Sequence, residues 1–295
     1  MNQVLQWNGS GLLSRVEPPV RPDAGEVLVD ATHTLLELSP ARALASTGTV
    51  RECGAGVELQ PNARVVVSAP AASSALTVRA RSCFVIEGAA EAASAVLIPP
   101  LAEVLRALRL GEPDLGSRVI VTGSDLRAEL LLHILSWAVA RSVVSVRAHD
   151  APEPVSRVDH LFRGNPSDYQ MALALQLQQA RGPVLGLDTT SQDSVIQSLL
   201  ASVPSGSAIV LLEGGGSGSS PINFYRDVHS KNLRIIGCTP RSVAPEDFLK
   251  ASRLLEKKRI DLDLFHAETV VASESLSPLH ERNRWALLQW SARSS

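Results

Sequence analysis

The sequence predicts an α/β protein in which a doubly wound parallel sheet sits between two β-rich chain ends. Three observations predict it. From about residue 116, short apolar runs alternate with helical patterns of roughly 10–15 residues, a rhythm that requires crossovers and a parallel sheet. Before residue 105 and again after residue 260, the text is strand-like and broken by turn formers. At the junction, the apolar run Val119–Thr122 passes straight into Gly123, and a new apolar helical pattern starts at Leu126.

In chain order, Glu26–Asp30, Ala63–Ser68, Ala75–Arg79 and Cys83–Ile86 read as strands. They are punctuated by Pro18, Pro19, Pro22, Pro61, Pro70, Pro99 and Pro100. Strands are then expected at 118–122, 143–148, 157–162, 184–188, 207–212 and 233–237, with helices at 126–140, 167–181, 191–202, 221–230 and 245–258. The last strand-like segments, Glu268–Ala272 and Trp285–Trp290, are expected to pack back on the first part. The domains expected are thus 1–105 with 260–295, and 106–259 between them. The glycine-rich stretch 213–220, containing Gly214, follows the fifth expected strand of the sheet. It reads either as a surface loop or as a loop at the ligand-binding carboxyl end of the sheet.

Composition narrows the function classes. A chain of 295 residues that is 45% hydrophobic and 20% charged builds an ordinary packed globule. A net charge of −2 argues against nucleic acid or an anionic membrane surface as the main partner. No apolar run has the length that a bilayer span demands, and the N-terminus lacks a signal-peptide pattern. The cytoplasm is the expected location. Cys53, Cys83 and Cys238 are too widely spaced for a disulfide framework or a zinc cluster, and read as packing thiols. The seven histidines form no metal-ligand spacing.

The segment Gly123-Ser124-Asp125-Leu126-Arg127-Ala128 stands where a dinucleotide-binding sheet carries its phosphate loop, G-x-G-x-x-G. The first glycine allows the tight turn, the second lets a pyrophosphate approach the backbone, and the third lets the helix lie close to the strand. Gly123 meets the first need and Ala128 nearly the third. Asp125 replaces the second, bringing a side chain and a negative charge to a place meant for phosphates. A helix N-terminus attracts anions, and Asp125 can itself cap those N–H groups in place of a phosphate. Arg127 can offset Asp125 or grip a phosphate.

The order of segments resembles the medium-chain dehydrogenase/reductase superfamily, the alcohol dehydrogenase-like group. The resemblance is carried by Glu26-Val-Leu-Val, Thr47–Val57, Gln60-Pro-Asn-Ala-Arg-Val65, Leu115–Val121, Leu187-Asp-Thr-Thr190 and Lys231–Gly237. It implies a Rossmann-like domain and a GroES-like β-rich domain. It further implies a small-molecule substrate held between them and a homodimer paired through strand 233–237. In family register the end of the second Rossmann strand falls on Arg147, 24 residues after Gly123. An arginine there suits the 2′-phosphate of NADP, while Asp150 can serve the ribose of NAD; Arg147 also reads as a solvated strand-end residue. Asp188 and Thr189 take the place where the fourth strand meets the cofactor. In the first domain Glu37 stands at the position of the first zinc cysteine, and Ser39 at that of a proton-relaying hydroxyl. Arg42 beside them can bind a carboxylate or phosphate, and Glu37 can act as a general base if buried. Pro99 stands at the third zinc-ligand position, and the four-cysteine structural lobe is missing, so no zinc is expected.

Two functions follow. One is a zinc-independent NAD(P)-linked oxidoreductase acting on a small carbonyl, alcohol or activated alkene, NADP being favoured through Arg147. The other is a degenerate relative that binds a ligand or a protein, or runs a different reaction in the old cleft.

Overall fold

The computed structural model describes residues 2–7, 12–18, 20–38, 41–68, 71–87, 91–113, 116–137, 140, 142–179, 182–212, 222–260, 262–272 and 284–290. Its elements are β1 (Asn2–Trp7), β2 (Leu12–Glu17), β3 (Glu26–Leu38), β4 (Ala41–Cys53), β5 (Arg64–Ser68), β6 (Ala72–Ser73), β7 (Ala75–Arg79), β8 (Cys83–Val85), α1 (Ile98–Gly111), β9 (Arg118–Thr122), α2 (Leu126–Trp137), β10 (Ser142–Arg147), β11 (His160–Arg163), α3 (Pro166–Gln179), β12 (Val184–Asp188), α4 (Asp193–Ser202), β13 (Ala208–Leu211), β14 (Arg234–Gly237), α5 (Pro245–Glu256), β15 (Glu268–Val271) and β16 (Trp285–Gln289). They divide into two compact units, Met1–Pro100 with Phe248–Ser295, and Leu101–Asp247.

In the middle unit the strands lie in the order β11-β10-β9-β12-β13-β14, and every neighbouring pair is parallel. Numbered within the unit, this is 3-2-1-4-5-6, the doubly wound nucleotide-binding order. The central strands read as unbroken apolar runs because both faces are covered: Val119, Ile120 and Val121 of β9 are wholly buried, as is Leu187 of β12. One core forms where Ile120, Val144, Val146 and Ile209 of the sheet meet Leu173 and Leu177 of α3 and Leu199 and Leu200 of α4. Helix α2 buries residues almost all round, including Leu126, Leu130, Leu131 and Leu132.

Strands β1, β2 and β4 are additional to those expected, and two helical segments differ from the expectation. The segment expected as helix 221–230 is a single π-helical turn, Phe224–His229. Asn223 starts it by accepting from the Arg226 N–H at 3.0 Å, and the Ser230 N–H closes it on the Tyr225 carbonyl at 2.9 Å. Conversely, α1 was not expected, because Pro99 and Pro100 read as punctuation. They occupy its first turn, where a missing N–H loses no helical bond.

In the other unit, β15-β16-β3-β4-β5-β8 form a sheet with β7 also on β3, and β2-β1-β6 form a second. Strand β3 runs far beyond Asp30. Its first half, Glu26–Asp30, pairs with β7, and where β7 ends, β16 takes over opposite His33–Glu37. A segment from the C-terminal end thereby completes the N-terminal sheet. The β-rich part is built from both chain ends, as the sequence predicts. Val27, Val29, Val50 and Val65 form one small core, and Leu36, Leu38, Val67, Ala286 and Leu288 contribute to another.

Candidate functional site

The sharpest candidate is the β9–α2 turn, at the carboxyl end of the central strand. Gly123 has φ +113, a conformation that a side chain resists. Its amide donates to the Val146 carbonyl at 2.9 Å, tying the turn to β10. Ser124 follows, half-buried, and then Asp125. The Asp125 Oδ1 accepts from the Ala128 N–H at 3.0 Å, so the carboxylate is the N-cap of α2. The first-turn N–H groups of a helix have no partner within the helix and make its N-terminus an anion site, and here the carboxylate of Asp125 takes the Ala128 amide. The Arg127 Nε donates to Glu103 Oε2 at 2.5 Å, and its Nη1 lies 3.6 Å from Asp125 Oδ2. One cation thus lies between two carboxylates, and the trio carries one net negative charge beside the turn.

The end of the second strand differs from both readings of Arg147. This side chain is neither solvated nor open to a ligand; it is 0% exposed, as is its partner Glu129 of α2. Arg147 Nη1 donates to Glu129 Oε1 at 2.8 Å and to the Pro152 carbonyl at 3.0 Å, and Nε donates to Ser145 Oγ at 3.0 Å. Glu129 Oε2 accepts from the Val155 N–H at 3.0 Å. The physical reason is charge pairing: a guanidinium reaching back along its strand finds a carboxylate inside the fold, and removing one partner of a buried pair costs about 3–5 kcal/mol. Arg163, at the end of β11, is likewise engaged, by the Ala151 carbonyl and by Glu153 Oε1. Asp150, three residues past β10, is exposed. Glu129 was not singled out from the sequence. Its signal was a lone carboxylate inside the apolar run Leu126–Leu135, which demands a buried partner.

Asp188 closes β12. It is 1% exposed, and its carboxylate organises the next turn. Oδ1 accepts from Thr122 Oγ1 at 2.5 Å and from Thr190 Oγ1 at 2.8 Å, and Oδ2 accepts from the Ser191 N–H at 3.1 Å. Burial pushes its pKa above the usual carboxylate range, while the hydrogen bonds from Thr122, Thr190 and Ser191 pull the other way. Thr189, 5% exposed, donates from Oγ1 to the Thr122 carbonyl at 3.1 Å and packs on Gly123. The structure therefore brings Gly123, Asp125, Asp188 and Thr189 together around the ends of β9 and β12, and draws Arg147 away into the fold. Gly214 and Ser39 lie outside the described residues.

In the β-rich unit, Glu37 and Arg42 face each other across β3 and β4. Glu37 is buried, and Arg42 Nε donates to its Oε2 at 2.7 Å. A carboxylate already held by a guanidinium is a poor surrounding for a second cation, so the residue at the zinc-cysteine position does not fit a metal. Among the described residues no group of three or more His, Cys, Asp or Glu is placed to hold a metal ion. Among them, too, no helix is long and apolar enough to cross a membrane.

No protein-family model matches this chain, and no curated protein does. Solved structures do. Galactitol-1-phosphate dehydrogenase from Escherichia coli superposes with a TM-score of 0.78 at 16% identity, over 98% of this chain and 100% of that one. The short chain alcohol dehydrogenase of E. coli CFT073, solved with NADH, gives a TM-score of 0.75 at 18% identity, covering 98% of this chain and 99% of the other. This chain has the medium-chain dehydrogenase/reductase fold. A candidate zinc-binding dehydrogenase from Sinorhizobium meliloti 1021, bound to NADP, shares it at a TM-score of 0.72 and 15% identity, over 98% and 99% of the two chains. At such identities the likeness is one of fold. Chemistry has to be argued from the residues of this chain.

Proposed function

We propose that this chain is a zinc-independent, NAD-linked oxidoreductase acting on a small carbonyl, alcohol or activated alkene. The observation that carries the reading is Gly123, which turns the central strand of a 3-2-1-4-5-6 sheet directly onto the N-terminus of α2. That turn is where structures of this architecture seat a dinucleotide. The residues fit one, with a weakened grip. Gly123 supplies the turn and the first-turn amides of α2 an anion site, while Asp125 takes one of those amides and repels phosphate. At the ribose end Arg147 is engaged inside the fold, so the exposed Asp150 is left to meet the ribose, and an acid there favours NAD over NADP. When bound, the cofactor supplies or accepts a hydride. Asp188 and Thr189 hold the turn against which the dinucleotide would lie. On the substrate side, Arg42 is the group offered to a carboxylate or phosphate, since Glu37 is buried beneath it; Ser39 is the proposed proton-relaying hydroxyl. The same reading takes the edge strand β14 as the pairing strand of a cytoplasmic homodimer.

Titration of the purified chain with NADH and NADPH, followed by fluorescence and thermal shift, tests this. A ligand of the folded state raises the unfolding midpoint by mass action. NADH binding supports the reading; no shift with either cofactor at millimolar concentration sinks it. A second reading is favoured by one observation: the Asp125 cap and the net negative charge of Asp125, Glu103 and Arg127. If neither dinucleotide binds, the chain is a non-redox member of the fold that binds another ligand or a protein.

A further inference from the structure

Arg147 is a cation in the register of the cofactor ribose, yet it points into the fold. The pair it forms with Glu129 is wholly buried, at 2.8 Å. The rest of its bonding is incomplete, since Nη2 is buried without a hydrogen-bond partner. Ser145 and the Pro152 carbonyl satisfy Nε and share Nη1, but neither is charged. The carboxylate of Glu129 is therefore what keeps a guanidinium in a place that does not satisfy it fully. Glu129 also accepts from the Val155 N–H, so it holds the segment after β10 from both ends of its own carboxylate. The exposed Asp150 remains on that segment, and it would repel a phosphate.

We propose that Glu129 determines cofactor specificity: by holding the Arg147 guanidinium against α2, it denies a 2′-phosphate its cation and makes the site select NAD over NADP. This rests on the dinucleotide reading above. Glu129 touches no cofactor and acts through Arg147; it is a positioning residue. Replacing it with glutamine keeps the size and one acceptor but removes the charge. A buried guanidinium without a counter-ion is unfavourable enough to be driven toward water, and water lies just past the carboxyl end of β10, where Ala148, His149 and Asp150 are exposed. There it can meet a 2′-phosphate in charge-assisted, bidentate fashion.

The experiment compares NADH and NADPH binding by fluorescence titration in wild type, Glu129→Gln and the double variant Glu129→Met with Arg147→Met. Alongside, hydrogen-exchange protection of the Arg147 side-chain Nε–H is measured by NMR. Wild type is expected to favour NADH. In Glu129→Gln the ratio of the two dissociation constants is expected to move toward NADPH by on the order of tenfold, with loss of Nε–H protection. The double variant, whose apolar pair replaces the ion pair, is expected to bind NADPH as poorly as wild type. An unmoved ratio in folded Glu129→Gln overturns the proposal, as does a double variant that gains NADPH equally. Should Glu129→Gln fail to fold, two results still overturn it: wild type preferring NADPH, or the double variant losing NADPH affinity. Absence of binding by either dinucleotide sinks the cofactor reading itself. Binding with an unmoved ratio sinks only the role of Glu129.

Discussion

The hydroxyl of Thr189 lies where a side chain on Gly123 would have to go: a Cβ built at residue 123 stands 2.2 Å from Thr189 Oγ1. The turn at the end of β9 and the turn at the end of β12 are thus fitted to each other, with Thr189 also bonded to the Thr122 carbonyl. Gly123→Ala meets two penalties, the contact and the strain of φ +113. Together they should cost about 2–4 kcal/mol. Adding Thr189→Ala should recover the contact part and leave about 1–2 kcal/mol of backbone strain. Urea denaturation of the two variants measures both, and a double variant no more stable than Gly123→Ala would contradict the packing argument.

Asp125 separates a structural from a functional effect. Asp125→Ala removes the N-cap of α2 and should lower stability by about 1 kcal/mol. Asp125→Asn keeps an acceptor for the Ala128 N–H while removing the charge. It should leave stability within about 0.5 kcal/mol and tighten NADH by roughly five- to tenfold. Titration of both variants checks this; equal NADH affinity in wild type and Asp125→Asn means that no phosphate lies near the cap.

Asp188 predicts a pH effect of definite sign. Burial raises its pKa in the folded chain above that of the unfolded one. The folded state therefore holds a proton over a window that opens at the ordinary carboxylate pKa of about 3.9 and extends upward. In that window the unfolded state binds fewer protons, so stability rises as pH falls and is lost as pH rises through the folded pKa. Unfolding curves of wild type and Asp188→Asn between pH 8 and pH 4 should converge or cross in this sense. Wild type losing stability relative to the variant on acidification would refute it.

Cys83 should be inert. Burial, with a smaller contribution from neighbouring Cys53, pushes its thiol up to about 12. At pH 8 its thiolate fraction is then small, and alkylation by iodoacetamide should run at least about a hundredfold slower than in the urea-unfolded chain. Peptide mass spectrometry of timed samples reads the rate. Comparable labelling in the two states would show that the thiol is not held as described.

How far the sequence could be read depended on where each signal came from. The strands 118–122 and 184–188 appear in the fold with the limits that their apolar runs suggest. A strand covered on both faces needs apolar residues at every position, and that demand is local and visible. Gly123 was legible for the same reason, since the turn must follow the strand directly. The length of β3 was not, because its second half is a strand only opposite β16, about 250 residues further along the chain. Helix α1 was hidden by two prolines that are harmless in a first turn.

The pattern of residues was enough to specify a parallel sheet, its turn at Gly123 and most of the helices that cover it, since burial and backbone geometry act on neighbours. Which charges would be available at the sheet's end was decided by the folded chain alone. Arg147 and Glu129 lie 18 positions apart, in a strand and a helix. Nothing local distinguishes an arginine bound for solvent from one bound for a buried carboxylate. Electrostatic partnership depends on distance in space and on the loss of water around both groups, and neither exists until the helix has packed.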